Sequence, residues 1–281
     1  MLPTDILTVL YLSLTGILIL FHHGIPQWPL LILAHIAAIC LIYAISRMRK
    51  ANFLLQFIGD WIYIPAFIPI YRETGILNRI FHNGYLDSFF IKVEGFLFGG
   101  QPSLSLSQAF GNVHLSEFLH ISYATYYLQI PALGLILYGM GILKRDFEAF
   151  RIYLFTIALT FYVCYLGFIL FPVEGPFYRF PKIEGEISAG TAYKLAHKIL
   201  DEGAARGAAF PSAHVAVAVV MLIFAWRYEK GAFLALSPLI LGLILGTVYC
   251  RFHYAVDGLA GAIIGGMSSW IGPKLYRSLK R

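Results

Sequence analysis

Two short segments carry the residue types that could do chemistry in this chain. The first is Ala209-Phe210-Pro211-Ser212-Ala213-His214, and the second is Arg251-Phe252-His253-Tyr254-Ala255-Val256-Asp257. Each stands at the end of a long apolar run. His253 and Asp257 are four residues apart, about one helical turn, so they share a helix face. A carboxylate there can hold the imidazole in one tautomer and leave its other nitrogen free to attack. A phosphate ester needs such a nucleophile, a proton for its leaving oxygen and donors for its anionic oxygens. His253 suits the first role, oriented by Asp257, and His214 suits the second. For the third, a helix starting near Pro211 offers free backbone N–H groups, and Ser212 adds a hydroxyl. Pro211 is expected at a first-turn position, where its missing N–H goes unused. Arg251, Arg206 and Arg179 are candidate clamps for phosphate oxygens.

The elements that position these residues must cross a membrane. The chain has 281 residues, of which 59% are hydrophobic and 13% charged, with mean hydropathy +0.72. A soluble domain carries about 25% charge. Long apolar stretches indicate an all-α, polytopic membrane helical bundle, since a barrel would show short alternating segments. Cys40, Cys164 and Cys250 are odd in number and imply no disulfide framework. No basic region precedes the first apolar run, so a cleaved signal peptide is not expected. The net charge of +6 reads as basic cytoplasmic loops and not as a nucleic-acid surface.

Eight spans are expected, near 4–22, 28–46, 54–71, 118–142, 150–171, 210–227, 231–250 and 254–273. The third holds Asp60, Pro65 and Pro69, and residues 78–112 read as interfacial. Arg47, Arg49, Lys50, Lys144, Arg145, Arg151, Arg227, Lys230 and the tail Lys274, Arg277, Lys280, Arg281 fall on one side. The positive-inside rule makes that side cytoplasmic, so both histidine motifs face outward.

Pro211-Ser212-Ala213-His214 resembles the Pro-Ser-x-His second motif of the type 2 phosphatidic acid phosphatase superfamily, and His253 to Gly261 resembles its third motif, His-x-x-x-Asp followed by small residues. The resemblance covers roughly residues 54–273, a six-span phosphatase-like core. It implies two domains of unequal role, two additional N-terminal spans in 1–50 and a catalytic membrane domain in 51–281. It also implies that His253 forms a phosphohistidine, Asp257 orients it and His214 protonates the leaving group, with no metal or other cofactor. Gly246 and Thr247 stand where the family's third motif begins with Ser-Arg, and Arg251 sits two residues before His253. The family's first motif, Lys-x6-Arg-Pro, is absent: Lys144 and Arg151 have its spacing, but Ile152 replaces the proline and the pair lies on the cytoplasmic side. Phe171 to Arg179, with Arg251-Phe252-His253-Tyr254, is similar to the branch containing inositol phosphorylceramide synthases and their bacterial relatives.

The expected function is hydrolysis of a lipid-linked phosphate at the non-cytoplasmic face of a cell or inner membrane, the partners being that substrate and membrane lipids. Transfer of a phospho-headgroup to an alcohol is the close alternative. A proton-coupled transporter and a haem protein are alternatives of other classes. The oligomeric state has no signal in the sequence. Glu174, between Pro172 and Gly175, reads as a turn or network residue. Tyr123, Tyr126 and Tyr127 read as packing and belt residues. His22, His23, His35, His82, His114, His120 and His197 lack ligand spacing and read as interfacial or hydrogen-bonded. Gly258, Gly261, Gly265 and Gly266 read as allowing close helix approach.

Overall fold

The structure is a computed structural model that describes residues 1–22, 24–25 and 27–280; His23 and Arg281, named above, lie outside the described residues. Helices α1 (Pro3–Leu20) and α2 (Trp28–Met48) form an N-terminal hairpin. They are followed by α3 (Phe53–Trp61), α4 (Tyr63–Leu77), α5 (Asp87–Phe98), α6 (Pro102–Ala109), α7 (Val113–Ala124) and α8 (Tyr126–Lys144). Next come α9 (Glu148–Leu170), the four-residue α10 (Pro176–Arg179), α11 (Thr191–Gly203), α12 (Ala213–Tyr228), α13 (Lys230–Tyr249) and α14 (Ala255–Lys280). Among the described residues the one strand-like pairing is an isolated bridge between Val173 and Ala208. The fold is thus an all-helical bundle, and each of the eight expected spans coincides with helix. Among the described residues six helices, with Phe53–Leu77 taken as one, are long and apolar enough to cross a membrane; α12 and α14 are not among these six.

Helix α9 is the hub, packing on α1, α4, α8, α12 and α14. It is apolar on every face, as a fully enclosed helix must be. The third expected span is longer than 54–71: Phe53–Leu77 taken together is long and apolar enough to cross. At one end Asp60 receives Arg151 at 2.9 Å and lies 3.5 Å from Arg49. At the other end the Asn78 amide donates to the Arg206 carbonyl. Asp60 is therefore not a mid-membrane charge. Arg49 also grips Asp5 through two donors at 2.8 Å, so the start of α1, the end of α2 and the α3 break are tied together. Buried charges persist only when paired in this way. Glu148 and Lys280 meet at 2.6 Å at the same end. Arg49, Arg151 and Lys280 thus gather at one end of the bundle, and both histidine motifs stand at the other, together with Arg179, Arg206 and Arg251.

The fourth span is also interrupted. Helices α7 and α8 meet at Thr125, whose hydroxyl bonds the Ile121 carbonyl at 2.8 Å. The interfacial stretch 78–112 is itself helical, as α5 and α6. Helix α12 has 16 residues, about 24 Å at 1.5 Å per residue, short of the ~30 Å hydrocarbon core. Its first residues are therefore recessed beneath the loops that precede it. Two glycines make that recess possible. A side chain on Gly167 would strike the Pro211 ring, and one on Gly261 would strike the Ser212 carbonyl. Gly265 has the same role one turn on, against Ala216. Gly266 faces open space and Gly258 makes only ordinary contact, so those two do not mediate close approach.

Candidate active site

Pro211 was expected in the first helical turn but lies outside it. Ser212 is the N-cap, its Oγ accepting from Val215 N at 3.3 Å, and α12 begins at Ala213. A serine cap competes well for the free amides of a first turn, which places Pro211 one residue outside. Ser212 N donates to the Asp257 carbonyl at 3.0 Å, so the two motifs are joined directly through their backbones.

The second motif is shaped by a tight turn after α13. Arg251 adopts a left-handed backbone, φ 62°, a conformation that closes helix ends. Behind it Phe252 N and His253 N both donate to the Thr247 carbonyl, at 3.1 and 2.8 Å. This turn aims His253 at Asp257: Nδ1 lies 3.4 Å from Asp257 Oδ2, while that same oxygen accepts Tyr254 N at 2.9 Å. Asp257 is fully buried and His253 is 5% exposed. On the far side of the ring, His253 Nε2 is 3.3 Å from His214 Nδ1. A proton on His253 Nδ1 facing the carboxylate leaves Nε2 with its lone pair, and His214 Nδ1–H then donates to it. Asp257, His253 and His214 form one polarised row.

His214 is held by aromatic rings. Tyr123 stacks on it with centroids 4.7 Å apart, and Tyr126 tilts against it at 4.4 Å. The break at Thr125 brings both rings to it. Sequence reasoning assigned these tyrosines to packing and missed that what they pack is His214. The signal was present as Tyr123 and Tyr126 three residues apart, which is one helix face. From His214 a cavity of 360 Å³ runs between α4, α8 and α9, walled by Phe67, Tyr71, Tyr127, Ile130, Phe161 and Tyr165, with Arg72 on its lining.

The three candidate arginines go elsewhere. Arg206 Nε and Arg179, the latter at 2.6 Å, both pair with the Glu174 carboxylate. Arg251 donates to the Pro181 carbonyl at 2.6 Å and to Ser107 Oγ at 3.0 and 3.2 Å. None of the three has a recorded contact with His214, His253 or Ser212. Glu174 is the network residue that its position indicated, but its partners are the arginines. Asp87, not singled out in the sequence, organises this loop. It accepts Glu174 N at 3.0 Å, Gly175 N at 2.9 Å and the Tyr254 hydroxyl at 3.1 Å. Gly175, φ 88°, needs its left-handed freedom there, with the Phe252 carbonyl close by. Not every scattered histidine is hydrogen-bonded: His197 is buried with neither ring nitrogen partnered, stacked on Tyr193 at 3.9 Å. Burial pushes its imidazole down to about 4.

Glu94, on α5, is a second acid missed in the sequence. It is fully buried and accepts Val256 N at 3.2 Å, at the start of the helix that carries Asp257. Burial pushes its carboxyl up to about 7, so the folded protein holds this proton more tightly than an unfolded chain does. The resulting stabilisation is present in full below the ordinary carboxylate range and is lost as pH rises through 7. In Glu94→Gln, which keeps an acceptor for Val256 N, the fall in melting temperature between pH 5 and 8 is expected to be shallower than in the wild type. Parallel curves would show that Glu94 does not titrate there.

Neither the curated proteins nor the solved structures contain a match to this chain. The family model described as the PAP2 superfamily matches residues 90–271. The match begins after the third crossing, later than the residue 54 at which the motif resemblance was drawn. It includes Ser212, His214, His253 and Asp257 and spans nearly two thirds of the sequence. On that match the chain belongs to the PAP2 superfamily.

Proposed function

We propose that the protein hydrolyses a lipid-linked phosphate monoester at the non-cytoplasmic face of its membrane through a phosphohistidine. The observation that carries this reading is the row Asp257–His253–His214, whose last member opens into an apolar cavity. His253 Nε2 attacks phosphorus, and the bond to the lipid oxygen breaks as that oxygen takes the His214 proton. Asp257 holds the opposite N–H and stabilises the ring as it gains charge. Water, losing its proton to His214, then attacks phosphorus and releases phosphate. The hydrocarbon of the leaving alcohol has a place in the cavity beside His214, where no charged lining residue other than Arg72 is present. Free amides at the α12 N-terminus supply donors for the anionic oxygens. Clustering of basic residues at the opposite end supports the outward orientation.

Transfer to an alcohol remains the second reading, favoured by the Glu174-Gly175-Pro176 loop that resembles the transferase branch. A polyol acceptor would need several buried partners, and each one left unpaired when water takes its place costs about 1–3 kcal/mol. Of the four tyrosine hydroxyls in the cavity lining, those of Tyr71 and Tyr165 are already bonded to backbone. The test is product partition: purified protein is given a panel of lipid phosphates with rising concentrations of alcohol acceptors. Inorganic phosphate release is expected to be insensitive to acceptor. If it falls while an alcohol phosphate or phosphodiester appears in matching amount, transfer is the reaction.

A further inference from the structure

The N-terminal hairpin encloses a second cavity, of 320 Å³, against α4. Every residue lining it lies between Thr8 and Glu73, outside the family match that begins at residue 90. Leu12, Ala38, Ile42 and Ile70 make its apolar walls, and His35 and Glu73 give it one polar end. His35 is 6% exposed. Its Nδ1 is 2.8 Å from the Leu31 carbonyl, which can only accept, so that nitrogen carries a proton. Its Nε2 is 3.0 Å from Thr15 Oγ1 and 3.4 Å from Glu73 Oε1. The Thr15 hydroxyl is itself directed at the Tyr11 carbonyl, 3.1 Å away. Both ring nitrogens therefore face acceptors, and the Glu73 carboxyl stands beside the ring.

Glu73 is under-satisfied in this arrangement. Its side chain is 11% exposed, His35 is its ion-pair partner at 3.4 Å, and Oε1 has no hydrogen bond. A carboxylate has about four acceptor positions, and leaving them empty in apolar surroundings is costly. Lipid tails filling the cavity would not relieve that cost, whereas a ligand with a donor would. An anionic head is repelled by the carboxylate. An ammonium would have to be stripped of its water in a low dielectric. A hydroxyl supplies the donor without either penalty.

The shape of the cavity fits one chain. Its lining on α2 runs from Leu31 to Ile45, about 21 Å at 1.5 Å per residue. The polar end lies toward the histidine motifs and the apolar remainder points toward the basic end. A volume of 320 Å³ is near the lower limit of ligand cavities, which run from about 300 to 1,000 Å³. That is room for one alkyl chain and a small head. We propose that this cavity is a binding site for a single-chain amphiphilic alcohol, its hydroxyl donating to Glu73 and its chain lying between α2 and α4.

The test uses the full-length protein in detergent and a photoactivatable hexadecanol bearing a clickable tag. Crosslinks are expected on peptides of α2 and α4. Unlabelled hexadecanol should compete about tenfold better than hexadecane or palmitate, the scale of one hydrogen bond to a charged acceptor. Glu73→Leu should remove that preference. Ala38→Trp, which fills the cavity from the loosely packed α2, should abolish labelling while the melting temperature stays near wild type. Equal competition by hexadecane, undiminished labelling of Ala38→Trp or crosslinks confined to other helices would each overturn the proposal.

Discussion

Replacing His253 by alanine is expected to lower turnover of a lipid phosphate by about 10³-fold or more, the scale on which loss of a nucleophile registers. The geometry leaves no substitute for it. His214 faces the ring, not Asp257, and no other described imidazole has a recorded contact with the row. In wild type, a rapid quench with radiolabelled substrate should trap an acid-labile, base-stable phosphoprotein that His253→Ala lacks. Because His253 is buried, His253→Gln is a second arm that keeps more of the side-chain volume. Both variants should retain the membrane insertion and melting behaviour of the parent. Asp257→Asn should also lose activity, since an amide can present its N–H to Nδ1 and fix the wrong tautomer. A folded His253→Ala protein with wild-type turnover would remove the phosphohistidine from the mechanism.

What the sequence made legible follows from the kind of signal each feature leaves. The crossings were legible because a ~30 Å apolar core demands about twenty apolar residues in a row. The catalytic candidates were legible because polar residues are costly beside such runs, and because four-residue spacing fixes a shared face. That argument brought Ser212, His214, His253 and Asp257 to one place, and the structure brings the same four together. The arginines illustrate the opposite case. Arg179 ends a four-residue helix and Arg206 sits in a turn, and their long side chains settle on whichever carboxylate the loops deliver. The loop delivers Glu174, because Asp87 binds the amides of Glu174 and Gly175 from a helix more than eighty residues earlier. No local pattern encodes such a contact. Helix α12 starts at Ala213, two residues after Pro211, and the error came from placing Pro211 by preference when the serine cap decided the start. The Thr125 break is a similar miss: an apolar run shows that a helix crosses, but not where side-chain bonding to its own carbonyls bends it.

His214→Ala separates the two stages of the proposed chemistry. If His214 delivers the proton to the leaving oxygen, its loss should slow release of an alkyl alcohol by about 10²–10⁴-fold, the usual contribution of a positioned acid. p-Nitrophenol leaves as its anion and needs no proton, so turnover of p-nitrophenyl phosphate should fall by no more than about tenfold. The prediction has a geometric basis beyond the motif. His214 Nδ1 lies 3.3 Å from the attacking nitrogen, and the rest of the ring is fixed by Tyr123 and Tyr126. Tyr126→Leu keeps His214 but loosens that hold. It should therefore reproduce part of the same selectivity, hurting the alkyl substrate more than the nitrophenyl one. Equal losses on both substrates in His214→Ala would instead make His214 a phosphate-binding group. The row would then supply a nucleophile and an anion donor, and the leaving oxygen would take its proton from water.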